Sequence, residues 1–212
     1  MTALLAQAAY RILAQDYDTQ PNALLNLEER TLGPLLDDLR GQRVVDAAAG
    51  TGRWARYCEQ RGARAVSVDS CREMLNHTES LAVVADVNRL PLKDGCADAT
   101  ICAFALGYAP ACLAELCRIT RRGGVVFASD VHPDAIRRGW TRTFRSGGEL
   151  VEVAHHPYSL KDLRVPGLEL TLLLEPCLGP PEREIFAKLG RLHRFDEAAR
   201  GPAIFVARWV RT

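Results

Sequence analysis

The chain has 212 residues, with 27 lysines and arginines against 26 aspartates and glutamates. At 48% hydrophobic and 25% charged, it has the composition of a soluble globular domain, long enough to bury a sizeable core in one domain. The formal charge of +1 gives no reason to expect nucleic acid or an anionic membrane as partner, and no apolar run is long enough to span a bilayer.

Seven cysteines, an odd number with no C-x-x-C pair, read as reduced, mostly buried thiols of a cytoplasmic protein rather than a disulfide framework or metal site. The N-terminal stretch has no basic leader before its apolar part, so it reads as a helix rather than a signal peptide. That helix is expected over about Ala3 to Gln15, with Leu4, Leu5, Ala8 and Ile12 forming its apolar face. After a polar loop, a second helix is expected from about Asn22 to Leu39, kinked or split at Gly33-Pro34.

Next comes the most informative stretch, VVDAAAGTGRWA, from Val44 to Ala55. A buried strand, Arg43 to Ala47, carries Asp46 near its end. A loop of small residues follows, then a helix from about Arg53 to Arg61 closed by Gly62. Strand, glycine-rich turn and helix N-terminus make a nucleotide cradle: small residues let backbone approach a ligand, and the free amides of the first helical turn point at it. The strand AVSVD ends in Asp69, nineteen residues after Gly50, where a carboxylate can accept both hydroxyls of a ribose. Ser70 and Glu73 then read as a capping box. A third strand, about Ala82 to Ala85, leads to Asp86. Strand four spans about Ala99 to Phe104, a helix about Pro110 to Ile119, and strand five Val125 to Ser129.

Strands alternating with helices predict a parallel, doubly wound sheet with its ligands at the strands' carboxyl ends. Asp46, Asp69, Asp86 and Phe104 all fall at such ends. Downstream, DAIRRGW reads as a short helix and TRTFRSGGELVEVAHH as a hairpin around Ser146-Gly147-Gly148. SLKDL reads as a helical turn capped by Ser159. LELTLLLEPC and PAIFVARWVR read as an antiparallel pair finishing the sheet, with a helix, EREIFAKLG, between them.

Gly50-x-Gly52-x-x-Ala55 also satisfies a dinucleotide fingerprint, but a carboxylate after each of three successive strands exceeds what that fingerprint needs. On these motifs the chain resembles the class I S-adenosylmethionine-dependent methyltransferases of the small ubiquinone/menaquinone-biosynthesis-like kind, over roughly Tyr10 to Gly124. The resemblance implies an α/β fold: one Rossmann-like, mostly parallel seven-stranded sheet with an antiparallel final strand and helices on both faces. It implies one domain over 1–212, with a helical lid (1–40), a cofactor-binding core (41–130), a substrate-side flap (131–160) and C-terminal strands completing the sheet (161–212).

By the same resemblance, Ala48, Gly50 and Gly52 line the methionine part of S-adenosylmethionine, and Asp46 orders the loop and the ammonium. Asp69 holds the ribose. Asp86 and the amide of Val87 read the adenine, and Met74 packs on it. Ala48 stands where the family usually has glycine. Tyr17 would reach the methionine carboxylate, and Tyr10 would close the acceptor side from a lid that excludes water. Phe104-Ala105-Leu106-Gly107-Tyr108 lacks the Asn/Asp and paired prolines of enzymes that methylate nucleobase amines. Phe104 and Tyr108 there either face the sulfonium, wall the acceptor pocket, or pack in the core. His132, after strand five, is the candidate proton acceptor. Arg137, Arg138, Arg142 and Arg145, beside Trp140 and Phe144, suit an acceptor bearing a carboxylate or phosphate. No spacing makes a metal site. The implied activity is methyl transfer to a small organic acceptor, biosynthetic and aromatic or anionic in character. An NAD-dependent oxidoreductase and a non-catalytic S-adenosylmethionine-binding regulatory protein remain the alternatives.

Overall fold

A computed structural model describes residues 3–146 and 148–212. Helices α1 (Ala6–Leu13) and α2 (Ala23–Leu32) come first, followed by a 3-10 turn over Gly33–Leu36. Asn22 caps α2, its side chain accepting from the amides of Leu24 and Leu25. The expected split at Gly33-Pro34 occurs, because Pro34 has no amide to continue the ladder.

The core alternates β1 (Arg43–Ala47), α3 (Arg53–Gln60), β2 (Arg64–Asp69), α4 (Arg72–Leu75), β3 (Leu81–Val84), β4 (Ala97–Ala103), α5 (Cys112–Ile119) and β5 (Thr120–Val131). Then come α6 (Pro133–Arg137), the hairpin β6 (Thr143–Ser146) and β7 (Glu149–Glu152), and a 3-10 turn over Leu160–Leu163. The chain finishes with β8 (Leu168–Leu174), α7 (Pro180–Lys188), a 3-10 turn over Leu192–Arg194, α8 (Phe195–Ala198) and β9 (Ile204–Arg211). Gly147, in the expected hairpin turn, lies outside the described residues.

The seven-stranded sheet runs β3-β2-β1-β4-β5-β9-β8. β1 to β5 pair in parallel, and β9 lies antiparallel between β5 and β8. This is a Rossmann-like sheet whose strand order reverses between β1 and β4, the place where such sheets bind ligands. Alternation along the strands divides the core between two faces. Val45, Val126, Phe205 and Trp209 pack under α5 on one side. Val44, Phe127, Ile204 and Val206 pack under α2, α3 and α8 on the other. All seven cysteines are free, and four are buried. No helix among the described residues is long and apolar enough to cross a membrane.

Two local expectations are corrected. The face of α1 that packs inward carries Ala9, with Tyr10, Ala14 and Tyr17 following it into the interior. Leu5 and Ile12 stand 77% and 45% exposed. Tyrosine wins the inward face because α1 covers a polar-lined cleft, not the apolar sheet. The expected capping box at Ser70 and Glu73 does not form: Cys71 is the N-cap of α4 and no side chain caps it. The cause is Asp69, whose Oδ1 takes the Cys71 amide at 2.8 Å, while Glu73 is drawn into an ion pair with Arg11 at 3.0 Å.

Candidate active site

The turn after β1 is built by backbone sign. Ala48, Gly50 and Gly52 have φ of 56°, 56° and 78°. A Cβ on Gly52 would run into the side chain of Thr78 and stand 3.1 Å from Ser67 Oγ, and one on Gly50 would stand 3.1 Å from Met74 Cε. The Gly52 position therefore requires glycine for space as well as for φ, whereas at Gly50, which faces the end of a flexible side chain, the demand is chiefly on φ. Two carboxylates hold the turn. Asp46 Oδ2 accepts the amide of Ala55 in the first turn of α3 at 2.9 Å, and Asp69 Oδ2 accepts the amide of Gly50 at 2.8 Å.

These groups border a cavity of about 640 Å³ at the carboxyl ends of the parallel strands. Asp46, Ala48, Gly50, Asp69, Met74, Asp86, Val87 and Phe104 all line it, as do Tyr10, Tyr17 and Tyr108. Asp86 is exposed two residues beyond β3, with Oδ1 accepting from the Asn88 amide and Nδ2, each at 2.9 Å. Gly52 shapes the turn from behind the lining. Three buried polar atoms of the lining residues have no partner among the described residues: Asp46 Oδ1, Arg53 Nη1 and Trp54 Nε1. Such orphans are costly unless a ligand satisfies them. A free acceptor and a free cationic donor on one wall fit a zwitterion, with ammonium toward the carboxylate and carboxylate toward the guanidinium. Burial pushes the Asp46 carboxyl up to about 7, so a cation beside it would stabilise the ionised form.

Glu28 and Arg53 are site residues the sequence reading missed. Glu28 is fully buried, ion-pairs with Arg53 and accepts from the hydroxyl of Ser129. It comes from α2 and meets partners 25 and 101 residues away, a pairing no local pattern announces.

The N-terminal segment is tied down at several points. Gln7 Nε2 donates to the Ser70 carbonyl at 2.8 Å, and Leu4 bridges the strand-like backbone at Val153. The Tyr10 and Tyr108 hydroxyls meet at 3.3 Å, with their rings edge to face at 5.8 Å. Burial raises the Tyr10 phenol well above its ordinary range, and pushes Tyr17 up to about 12. These phenols stay protonated at neutral pH.

Tyr10, Tyr17, Phe104 and Tyr108 also border a second cavity of about 570 Å³, forming an aromatic waist between the two. Its far walls are mainly apolar: Leu24, Ile136, Trp140, Phe144, Leu178 and Phe186. Arg142, from the expected basic set, is drawn inward, its side chain only 10% exposed. It ion-pairs with buried Asp130, donates to the Phe104 carbonyl at 3.2 Å and lies 4.6 Å from the centre of the Tyr108 ring. Arg145 also lines this cavity. Arg137 instead pairs with Asp134, and Arg138 donates to the Pro202 carbonyl, so both leave the site.

His132 is corrected outright. It is 2% exposed and lines neither cavity. Its Nδ1 accepts the Asp134 amide at 3.0 Å, capping α6, and its Nε2 lies 2.9 Å from Glu175 Oε1. Pro133 fixes the first turn of α6, which makes His132 a helix cap. His155 is the imidazole that lines the second cavity.

Fold and cradle together define a Rossmann-like α/β sheet with a glycine-rich turn at its switch point. Residues 45–128 match the model of a methyltransferase domain. It is 35% identical over 113 residues to a malonyl-[acyl-carrier protein] O-methyltransferase of Pectobacterium atrosepticum, covering 48% of this chain and 45% of the relative. It is 40% identical over 92 residues to a demethylmenaquinone methyltransferase of Beutenbergia cavernae, covering 40% and 38%. The chain thus spans about half the length of the relatives it matches or less. An S-adenosylmethionine-dependent methyltransferase structure from Mesorhizobium loti superposes with a TM-score of 0.66 at 20% identity, covering 87% of this chain and 97% of that one, which is a likeness of fold.

Proposed function

We propose that the chain transfers the methyl group of S-adenosylmethionine to a small organic acceptor held in the second cavity. The observation that carries this is the convergence of Asp46, Asp69 and Asp86 on one cavity that meets a second, mainly apolar one at four aromatic side chains. In this reading Asp46 and Arg53 take the two ends of the methionine part, with Ala48 and Gly50 beneath it. Asp69 takes the ribose, using lone pairs its two amides leave open. Asp86 and the Val87 amide read the adenine, and Met74 packs on its face.

When bound, the cofactor supplies a methyl group on a positively charged sulfur, already activated for displacement. What remains for the protein is orientation and dryness. Tyr10 and Tyr108 close the waist and offer phenol protons to position the acceptor. Arg142 carries a fixed positive charge on the acceptor side, held by Asp130. His155 is the candidate proton acceptor, taking the role expected of His132.

Calorimetry with S-adenosylmethionine and S-adenosylhomocysteine tests the cofactor half. Asp69→Asn removes the charge and keeps an acceptor for only one of the Gly50 and Cys71 amides, and is expected to weaken cofactor binding by about tenfold or more. Unchanged affinity would count against the assignment. Transfer of label from methyl-tritiated cofactor into a metabolite extract tests the catalytic half. Saturable cofactor binding with no transfer to any metabolite would favour a regulatory protein.

A further inference from the structure

The second cavity does not end at its apolar walls. It shares Thr141, Thr143, Arg145, Leu150 and Arg191 with an outer vestibule of about 580 Å³, which adds Glu152, His193 and Arg194. Cofactor cavity, aromatic waist, apolar chamber and vestibule therefore adjoin one after another. Charge along that series is one-sided. The apolar chamber has no carboxylate on its lining, and the vestibule has only Glu152 against Arg145, Arg191 and Arg194. Arg145 donates to the Gly148 carbonyl. None of the three arginines forms an ion pair among the described residues, although arginines elsewhere in the chain find carboxylates. They come from two separate segments, the β6 hairpin and the turn after α7, so folding rather than sequence proximity assembles them.

We infer that the acceptor is an elongated anionic amphiphile: its methylated end lies at the aromatic waist, its apolar body fills the chamber, and a phosphate or carboxylate at its far end is held by Arg145, Arg191 and Arg194. The inference rests on the proposed methyl transfer and specifies its substrate class. Guanidinium groups suit both anions, since their forked donors match two oxygens at once. The apolar walls supply affinity roughly in proportion to the chain length they cover, so both halves of the ligand are needed together.

The test uses the full chain loaded with S-adenosylhomocysteine, with octyl phosphate, octanoate, octanol, octyltrimethylammonium and inorganic phosphate as probes below their micelle concentrations. The anionic octyl compounds are expected to bind roughly tenfold or more tightly than octanol, the worth of about one charge-assisted hydrogen bond. Octyltrimethylammonium and inorganic phosphate should bind more weakly still. Comparing octyl phosphate with octanoate distinguishes the two anions. Arg145→Glu combined with Arg191→Glu should abolish the preference for the anion and leave S-adenosylhomocysteine affinity unchanged. Both side chains are exposed, so the fold should survive, and the retained cofactor affinity verifies it. If S-adenosylhomocysteine binds but octyl phosphate and octanoate bind no better than octanol, the inference is overturned and methyl transfer stands. Sedimentation with phosphatidylglycerol vesicles, without binding of the monomeric anions, would overturn it in favour of a membrane surface. Failure of S-adenosylhomocysteine to bind at all would overturn the parent reading and this one with it.

Discussion

Ala48 and Phe104 are the non-glycine residues with positive φ among those described, at 56° and 54°, and both line the cofactor cavity. Alanine in the left-handed region carries about 1–2 kcal/mol of strain, partly offset because it restricts the unfolded chain more than glycine does. Ala48→Gly is therefore expected to leave stability unchanged or raise it by up to about 1 kcal/mol, read by urea denaturation. Asp46 gives a pH signature. Its folded carboxyl titrates near 7, above the ordinary value of 3.8. The folded state thus binds more protons than the unfolded between about pH 4 and 7, and stability falls as pH rises through that window. Asp46→Asn should flatten that fall in thermal melts from pH 4 to 8. A ligand ammonium beside Asp46 reverses the preference, so cofactor affinity should climb with pH up to about 7, and should lose that climb in Asp46→Asn. The two histidines separate cleanly as well. His132→Ala should lower stability by about 1 kcal/mol through loss of a cap and leave the pH profile of kcat in place. His155→Ala should lower kcat by about a hundredfold while the melt is unchanged.

At the scale of elements, the legible part of the chain was the part whose structure is local. β1, its turn and α3 follow from alternation, glycine spacing and a helix stop within twenty residues, and β1 occupies the expected Arg43 to Ala47. The same holds for Asp69 at the end of β2. What escaped depends on partners distant in sequence. The face of α1 is chosen by the cleft it covers, and the α4 cap is pre-empted by Asp69. Glu28, Arg53 and Ser129 meet only after α2 folds over the sheet. Arg142 was visible as one of four arginines, but nothing in the run told it from its neighbours. Only the buried carboxylate of Asp130 singles it out. Removing Arg142 strands that carboxylate: Arg142→Met should destabilise by about 3 kcal/mol or more, and adding Asp130→Asn should restore much of the loss. Denaturant titration of the two single variants and the double variant measures the coupling directly.

For the molecule as a whole, strand order does most of the positioning. Asp46, Asp69 and Asp86 lie 17 to 40 residues apart in the chain, yet parallel pairing delivers all three to one rim. β9 has a further consequence. It separates β5 from β8, so β8 is made before the only strand it pairs with in the main sheet. On the ribosome, β1 to β5 can form the parallel half while the edge of β5 stays open and β8 hangs unmatched. The nascent protein must tolerate that gap until Ile204–Arg211 emerges and slides in between. A translational pause shortly before that point would lengthen the exposure, making β9 the strand that decides whether a newborn molecule folds or associates with its neighbours.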